Sequence, residues 1–249
     1  MVEELKPPAA SVPASQRARV NVLAVVATGA LLLAALVFIG YFVVYAAYAR
    51  SLISFPFDYD QGEGFELYDA IRLARGEGIY LDNAQFPFYS SNYPPVYRLM
   101  LVPLIWLFGP HLWVGRVVAL ACSLVIGVLI FIAARRMWKV ESGEWRVESA
   151  FNLKSLFSIL IPLIAALSFF AANFVYHIGP LARAHLPMVM FAFAGILCLD
   201  IAFRSKSQVP RLKMDDARRM TQDDAATNAK RQKLWVIAGV VLLLVAGFT

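Results

Sequence analysis

Cysteine is almost missing from this chain: there are two, Cys122 and Cys198, and each falls inside an apolar block. That excludes a small scaffold stapled by disulfides and leaves the redox compartment unread. Charge is scarce as well, with Asp, Glu, Lys and Arg at 16% of the 249 residues, against about a quarter in an ordinary soluble domain. The formal net charge is +6, but the basic residues flank apolar blocks and form no single stripe, which points away from nucleic acid. There is no internal repeat and no long low-complexity tract. A cleavable leader is disfavoured too. Residues 1–19 carry eight polar side chains and precede an apolar run about twice the length of a signal-peptide core.

What the chain has is apolar length. Hydrophobic residues make up 60% of it, gathered in blocks near the roughly 20 residues that cross about 30 Å of hydrocarbon as helix. The expected fold is all-α: a polytopic transmembrane bundle with spans at about 20–49, 112–134, 155–176, 183–203 and 234–249, preceded by a flexible tail, 1–19. The stretch 96–109, "VYRLMLVPLIWLFG", is too short to span and contains Pro103, so an interfacial or re-entrant helix is expected there. The last block stops at Thr249 without a polar flank, which gives the expectation that the remainder of a longer protein follows.

Sidedness follows from where Lys and Arg sit in short loops. Segments 135–154 and 204–233 carry Arg135, Arg136, Lys139, Arg146 and Lys154, and nine basic residues from Arg204 to Lys233, respectively. The tail adds Lys6, Arg17 and Arg19. Alternation of the five spans puts all three on one face, the cytoplasmic one. The loop 50–111 then faces outward, and its portion 50–98 holds seven acids against four arginines.

That loop begins with "DYDQGEG", in which Asp58, Asp60 and Glu63 are interleaved with Gly62 and Gly64. "GFELYDAIRLARGEG" follows and reads as a helix lying along the membrane surface. Phe65, Tyr68, Ile71 and Arg72 recur at helical spacing, as do Leu67, Ala70 and Ala74, and Gly76 is the stop. Glu63 and Glu66 suit the positive end of its dipole. Acids beside water are commonly just solvated. Here their crowding raises the pKa of at least one, as a general base requires, and the glycines permit close backbone approach by a ligand. "IYLDNAQFPFYSSNYPPVY" is irregular, and Pro94-Pro95 fixes the entry into the next helix. Asp200 and Arg204 have the spacing of a helical ion pair.

The order "FDYDQGEGFELYDAIRLARGEGIYLDN…YPPVYRLMLVPLIWLFGPHLWVGRVVALACSLVIGVLIFIAARR" resembles membrane glycosyltransferases of the GT-C fold over roughly residues 20–205. It looks most like the branch of protein O-mannosyltransferases, aminoarabinose transferases and lipopolysaccharide-core uronosyltransferases. The shared features are the acidic motif after the first span, the Gly76-to-Tyr80 step, the Pro-Pro-hydrophobic-Tyr helix, and a Gly-Arg pair opening the second span. The resemblance implies an inverting transferase that takes a sugar from a polyprenyl-phosphate donor, outside the cytoplasm, to a glycan, lipid or protein acceptor. Asp60 matches the catalytic aspartate, Glu63 its acidic companion, and Asp58 competes for the base role. Arg116, with Tyr93, Tyr97, Arg183 and His185, would be the substrate-binding set. No metal ligand is assigned, although Asp60, Glu63 and His185 would suit a divalent cation if their loops met. The sequence departs from relatives at Tyr93, where a basic residue or His is common, and at His185, where an acid is common. Two rivals remain: a non-catalytic glycan-binding or assembly module, and a transporter, which the scarcity of ionisable residues at depth disfavours.

Overall fold

The computed structural model describes residues 14–86, 88–141, 153–208 and 222–249. Eight helices account for the regular structure among them: α1 (Ala14–Ser54), α2 (Gln61–Ala74), α3 (Val96–Phe108), α4 (Leu112–Glu141), α5 (Leu153–Ala171), α6 (Asn173–Ile178), α7 (His185–Gln208) and α8 (Gln222–Gly247). The fold is all-α, and no strand occurs among the described residues.

Three helices are long and apolar enough to cross a membrane: α1 over Val22–Ser54, α4 over Leu112–Trp138 and α7 over His185–Arg204. Only 6% of the most apolar window of α1 is buried. Leu23, Val25, Leu33, Leu36 and Val43 all lie open. A helix oily on every side with its side chains uncovered needs lipid as its solvent. This is a membrane protein.

The other two expected spans are built differently. Between Leu153 and Ala171 the chain is α5, whose apolar part, Ser155–Ala171, is shorter than the others. It stops where Ala172 turns extended (φ −64°, ψ 128°) and redirects the chain into α6. The expected span 155–176 is therefore a helix, a corner and a short second helix. In α8 only the part from Leu234 onward is apolar, but the helix starts at Gln222, so the end of the basic segment 204–233 is helical. Residues 1–13, 142–152 and 209–221, which carry most of the tail and basic loops of the sidedness reading, lie outside the described residues.

The helices pack α7 on α8, α5 against α1 and α4, and α4 on α7. The α7–α8 contact is backbone on backbone. A Cβ added to Gly195 would sit 2.9 Å from the Gly239 carbonyl oxygen, and one added to Gly239 2.9 Å from the Gly195 carbonyl oxygen. Such close approach is how helices associate where burial from water gives no driving force.

The short helices α2 and α3 pair with each other and rest on α4. Their anchor is a cluster of Ala70, Tyr97, Leu101, Ile105, Val114 and Ala184. The opposite side of α3, with Leu99, Pro103, Trp106 and Leu107, is bare, as an interfacial helix requires. Trp106 donates its indole N–H to the Ala74 carbonyl at 3.0 Å and so closes the end of α2. The Val96 amide donates to the Phe248 carbonyl at 3.0 Å. The end of α1, both short helices, the start of α4, the α6–α7 turn and the end of α8 thus share one end of the bundle.

Candidate functional site

A helix ends with carbonyls that lack a partner, and α1 ends where the chain leaves the apolar zone. Arg116, one turn into α4, supplies the donors. Its Nη1 donates to the carbonyls of Leu52 and Phe55, each at 2.5 Å, and its Nη2 to that of Phe57 at 2.8 Å. The remaining N–H groups grip Glu63, with Nε to Oε1 at 2.8 Å and Nη2 to Oε2 at 2.7 Å. A guanidinium has five N–H bonds, and here all five are used. Both side chains are fully buried.

Glu63 also accepts the Ala182 amide at 2.8 Å and the Tyr59 amide at 3.0 Å. Burial pushes its carboxyl up, but Arg116 and the two amides outweigh that and hold it below the ordinary value of 4.5. One carboxylate therefore ties together α1, α2, α4 and the α6–α7 turn. The expectation of a substrate-binding Arg116 and of Glu63 as companion to the catalytic aspartate meets a physical obstacle: neither has a free donor or an open face.

A second clamp lies along the same face of α2. Glu63, Glu66 and Asp69 are spaced by three, so they point the same way, and all three are buried. Arg98 of α3 sits between the last two, Nη2 at 3.1 Å from Glu66 Oε2 and Nε at 2.8 Å from Asp69 Oδ2. These are charge contacts rather than aligned hydrogen bonds. Its Nη1 donates to the carbonyls of Tyr93 and Pro94, both at 2.9 Å. Two carboxylates share one guanidinium. Burial, together with Asp69, raises the Glu66 carboxyl above 4.5 in spite of Arg98. The Tyr89 hydroxyl donates to Asp69 Oδ1 at 2.7 Å. Burial and that carboxylate push the Tyr89 phenol far up, so it stays a donor.

Asp58 and Asp60 remain. Asp60 precedes α2 in extended conformation (φ −138°, ψ 127°) yet makes no capping hydrogen bond with its side chain. It pairs instead with Arg183 from the α6–α7 turn. Nη2 and Nε both bind Oδ2, the latter at 3.1 Å. The pair is part-open, with side chains 40% and 21% exposed. Oδ1 of Asp60 and Nη1 of Arg183 make no hydrogen bond to any described residue. Gly62 is the seat for the guanidinium: a Cβ there would fall 1.7 Å from Nη1. The glycine expected to admit a ligand admits Arg183.

Asp58 is exposed, and its Oδ2 accepts the Gly64 amide at 3.2 Å. It opens a cleft of about 470 Å³ lined by Asp58, Gln61, Gly64, Phe65, Tyr68 and Tyr89. Of the two rows read at helical spacing, Leu67, Ala70 and Ala74 pack together with Ile71, whereas Phe65 and Tyr68 do not. Phe65 and Tyr68 are 57% and 42% exposed, and they frame the cleft while the acids face inward.

Of the other expected residues, Tyr97 is fully buried, with its hydroxyl 3.4 Å from the Gly115 carbonyl, where no ligand reaches it. Tyr93 is half exposed, and its ring lies 5.8 Å from the Arg98 guanidinium. His185 starts α7 with its ring 6.3 Å from that of Phe174. Among the described residues no three His, Cys, Asp or Glu side chains are placed to hold a metal ion, so Asp60, Glu63 and His185 do not converge. Asp200 and Arg204 do pair, at 2.6 Å.

Where α5 breaks, a second hollow of about 460 Å³ runs along α1, lined by Val37, Gly40, Tyr41, Val44, Ala171, Asn173 and Tyr176. It is mostly apolar. Tyr176 at its rim stacks on Tyr48 with ring centres 5.3 Å apart. Sequence reasoning missed Asp69, Arg98 and Tyr89, and read Glu66 only as a helix-start acid. The three-residue spacing of the acids was the available signal. No family model, curated protein or solved structure matches this chain.

Proposed function

We propose that this protein is an integral-membrane glycosyltransferase of the GT-C type. It moves a sugar from a polyprenyl-phosphate donor to an acceptor hydroxyl at the outer face of the cell's plasma or inner membrane. The observation that carries this reading is the Asp60–Arg183 pair. A part-open carboxylate with one uncommitted oxygen stands beside a guanidinium with one uncommitted nitrogen, at the end of the bundle where the chain leaves the apolar zone. Glu63, Glu66, Asp69, Arg98 and Arg116 around it are buried in the frame, and Asp58 is the other open acid.

The chemistry such a pair supports is a single displacement. The acceptor hydroxyl gives its proton to Asp60 Oδ1 as its oxygen attacks the anomeric carbon. The bond from that carbon to the phosphate oxygen breaks, and the lipid phosphate leaves with the electron pair. Attack opposite to the leaving group inverts the anomeric centre. Arg183 meets the charge that develops on the departing phosphate. Activated sugar carried on a lipid accounts for a reaction centre at the membrane surface, and the apolar hollow along α1 offers room for its tether. Asp58 is the alternative base, one alternation back along the chain. In this reading Glu63 and Arg116 position the lead-in and touch no substrate. The basic loops set the orientation, with the tail in the cytoplasm.

The test uses the full chain reconstituted in vesicles with polyprenyl-phosphate-linked sugars and candidate acceptors, following sugar transfer. Asp60→Asn should abolish turnover, and Asp58→Asn should reduce it less. Transfer at wild-type rate by both variants would remove the general-base assignment.

A further inference from the structure

The cleft beside Asp58 does not belong to the Asp60–Arg183 pair, and its walls have their own chemistry. Three aromatic side chains surround it. Phe65 and Tyr89 lie nearly parallel, 12° apart with centres at 6.1 Å, and Tyr68 meets Tyr89 edge-on at 5.4 Å. Tyr89 does not swing freely, because its hydroxyl is tied to Asp69 inside the second clamp. The floor is kept open by Gly64, where a Cβ would press to 2.8 Å from Asp58 Oδ2. At the mouth stand two planar polar side chains, Asp58 and Gln61, both exposed. Asp58 Oδ2 is held by the Gly64 amide, which leaves Oδ1 without a hydrogen-bond partner among the described residues.

This combination selects a ligand with an apolar face and a rim of hydroxyls. Fixed rings offer flat, electron-rich surfaces to C–H bonds. A carboxylate and an amide, on the other hand, accept from and donate to neighbouring hydroxyl groups. A pyranose ring has both features. A peptide backbone presents no such apolar face rimmed by hydroxyls. An anion would meet Asp58 with no cation in the lining. The volume, about 470 Å³, is within the roughly 300–1,000 Å³ of small-molecule sites.

We infer that the cleft formed by Asp58, Gln61, Gly64, Phe65, Tyr68 and Tyr89 is a saccharide-binding subsite for neutral sugars. If the transferase reading above holds, it is the seat of the acceptor, and the acceptor is a glycan rather than a protein or a plain lipid. Binding itself does not rest on that reading.

The experiment is saturation-transfer NMR and calorimetric titration on the full chain in nanodiscs. The probes are maltose, cellobiose and mannobiose, with a uronic-acid disaccharide for comparison. At least one neutral disaccharide should bind, with saturation strongest on ring C–H protons, and the uronate should bind more weakly. Phe65→Ala should weaken binding by about tenfold or more. Tyr89→Phe keeps the ring but cuts the tie to Asp69, and its loss should be smaller than that of Tyr89→Ala. Leu107→Ala should bind like wild type, because that side chain lies on the bare side of α3, outside the cleft. Circular dichroism on each variant identifies any that failed to fold. No binding by any neutral disaccharide, or unchanged affinity in a folded Phe65→Ala variant, would overturn the subsite. Binding that depends on the cleft in a protein that transfers no sugar would leave the subsite standing and remove the transferase reading instead.

Discussion

Five acids lie between Asp58 and Asp69, and the chain treats them in two ways. Glu63, Glu66 and Asp69 point inward from one face of α2 and are buried against Arg116 and Arg98. Asp58 and Asp60 stand at the lead-in, open to solvent or part-open. In sequence the two sets are continuous. The difference lies in what reaches them from elsewhere: buried guanidiniums from α3 and α4 for the first set, and a backbone amide or a part-open arginine for the second. A buried charge without its partner is costly, so the inner acids serve the fold. The outer acids each keep one oxygen outside any hydrogen bond to a described residue.

The sharpest break of this comparison is on activity. Under the transferase reading Asp60→Asn should lower transfer by about 10²–10⁴-fold, the usual contribution of a general base. It should shift stability little, because an ion pair this exposed contributes about 0–1 kcal/mol. Paired transfer assays and thermal unfolding in detergent check both halves. A large loss of stability would put Asp60 with the inner set.

Glu63→Gln should do the reverse and destabilise by about 3–5 kcal/mol, the cost of leaving Arg116 charged and unpaired in the interior. Arg116→Met should cost at least as much. The double variant should not recover, since the carbonyls of Leu52, Phe55 and Phe57 lose their donors in either case. Recovery in the double variant would reduce the clamp to a simple ion pair.

Gly62→Ala separates seat from scaffold. The added methyl collides with the end of a flexible side chain, Arg183, so the fold should survive. Alanine in a helix also gains up to about 1 kcal/mol over glycine. The Arg183 guanidinium must move away from Asp60, however. Transfer should fall about 10–100-fold, as it does when reacting groups are misplaced by an ångström or so, at an unchanged or slightly raised unfolding temperature.

The sequence made the long helices legible because hydropathy over a window needs no knowledge of neighbours. The Val96–Phe108 helix was legible for the same reason: its length and Pro103 set it apart. The corner at Ala172 was not, since no glycine or proline marks it and Pro162 sits well inside α5. α2 itself was legible, but its orientation was not. Phe65 and Tyr68 repeat like a core stripe, and acids ordinarily face water. They face inward here because Arg116 lies 53 residues from Glu63 in sequence and Arg98 reaches back from α3. Asp60 and Arg183 were each visible as candidates. Their union across 123 residues was not, because it depends on how two loops meet at one end of the bundle.

The smallest effect discriminates within the inner set. Glu63 has a folded-state pKa below 4.5 and Glu66 one above it, so their linkage to pH has opposite sign. Glu63 contributes stability that is present above 4.5 and lost as pH falls through its lowered value. For Glu66 the folded state binds its proton more tightly than the unfolded state. Stability therefore falls as pH rises from 4.5 through the raised value. Glu66→Gln should then be neutral or stabilising by up to about 1 kcal/mol at pH 7, since Asp69 still balances Arg98. It should also flatten the rise in stability between neutral and mildly acid pH while leaving the collapse below 4.5 intact. Unfolding temperatures across that range, wild type against variant, decide it. A Glu66→Gln variant as unstable as Glu63→Gln would mean that the second clamp needs both of its carboxylates charged.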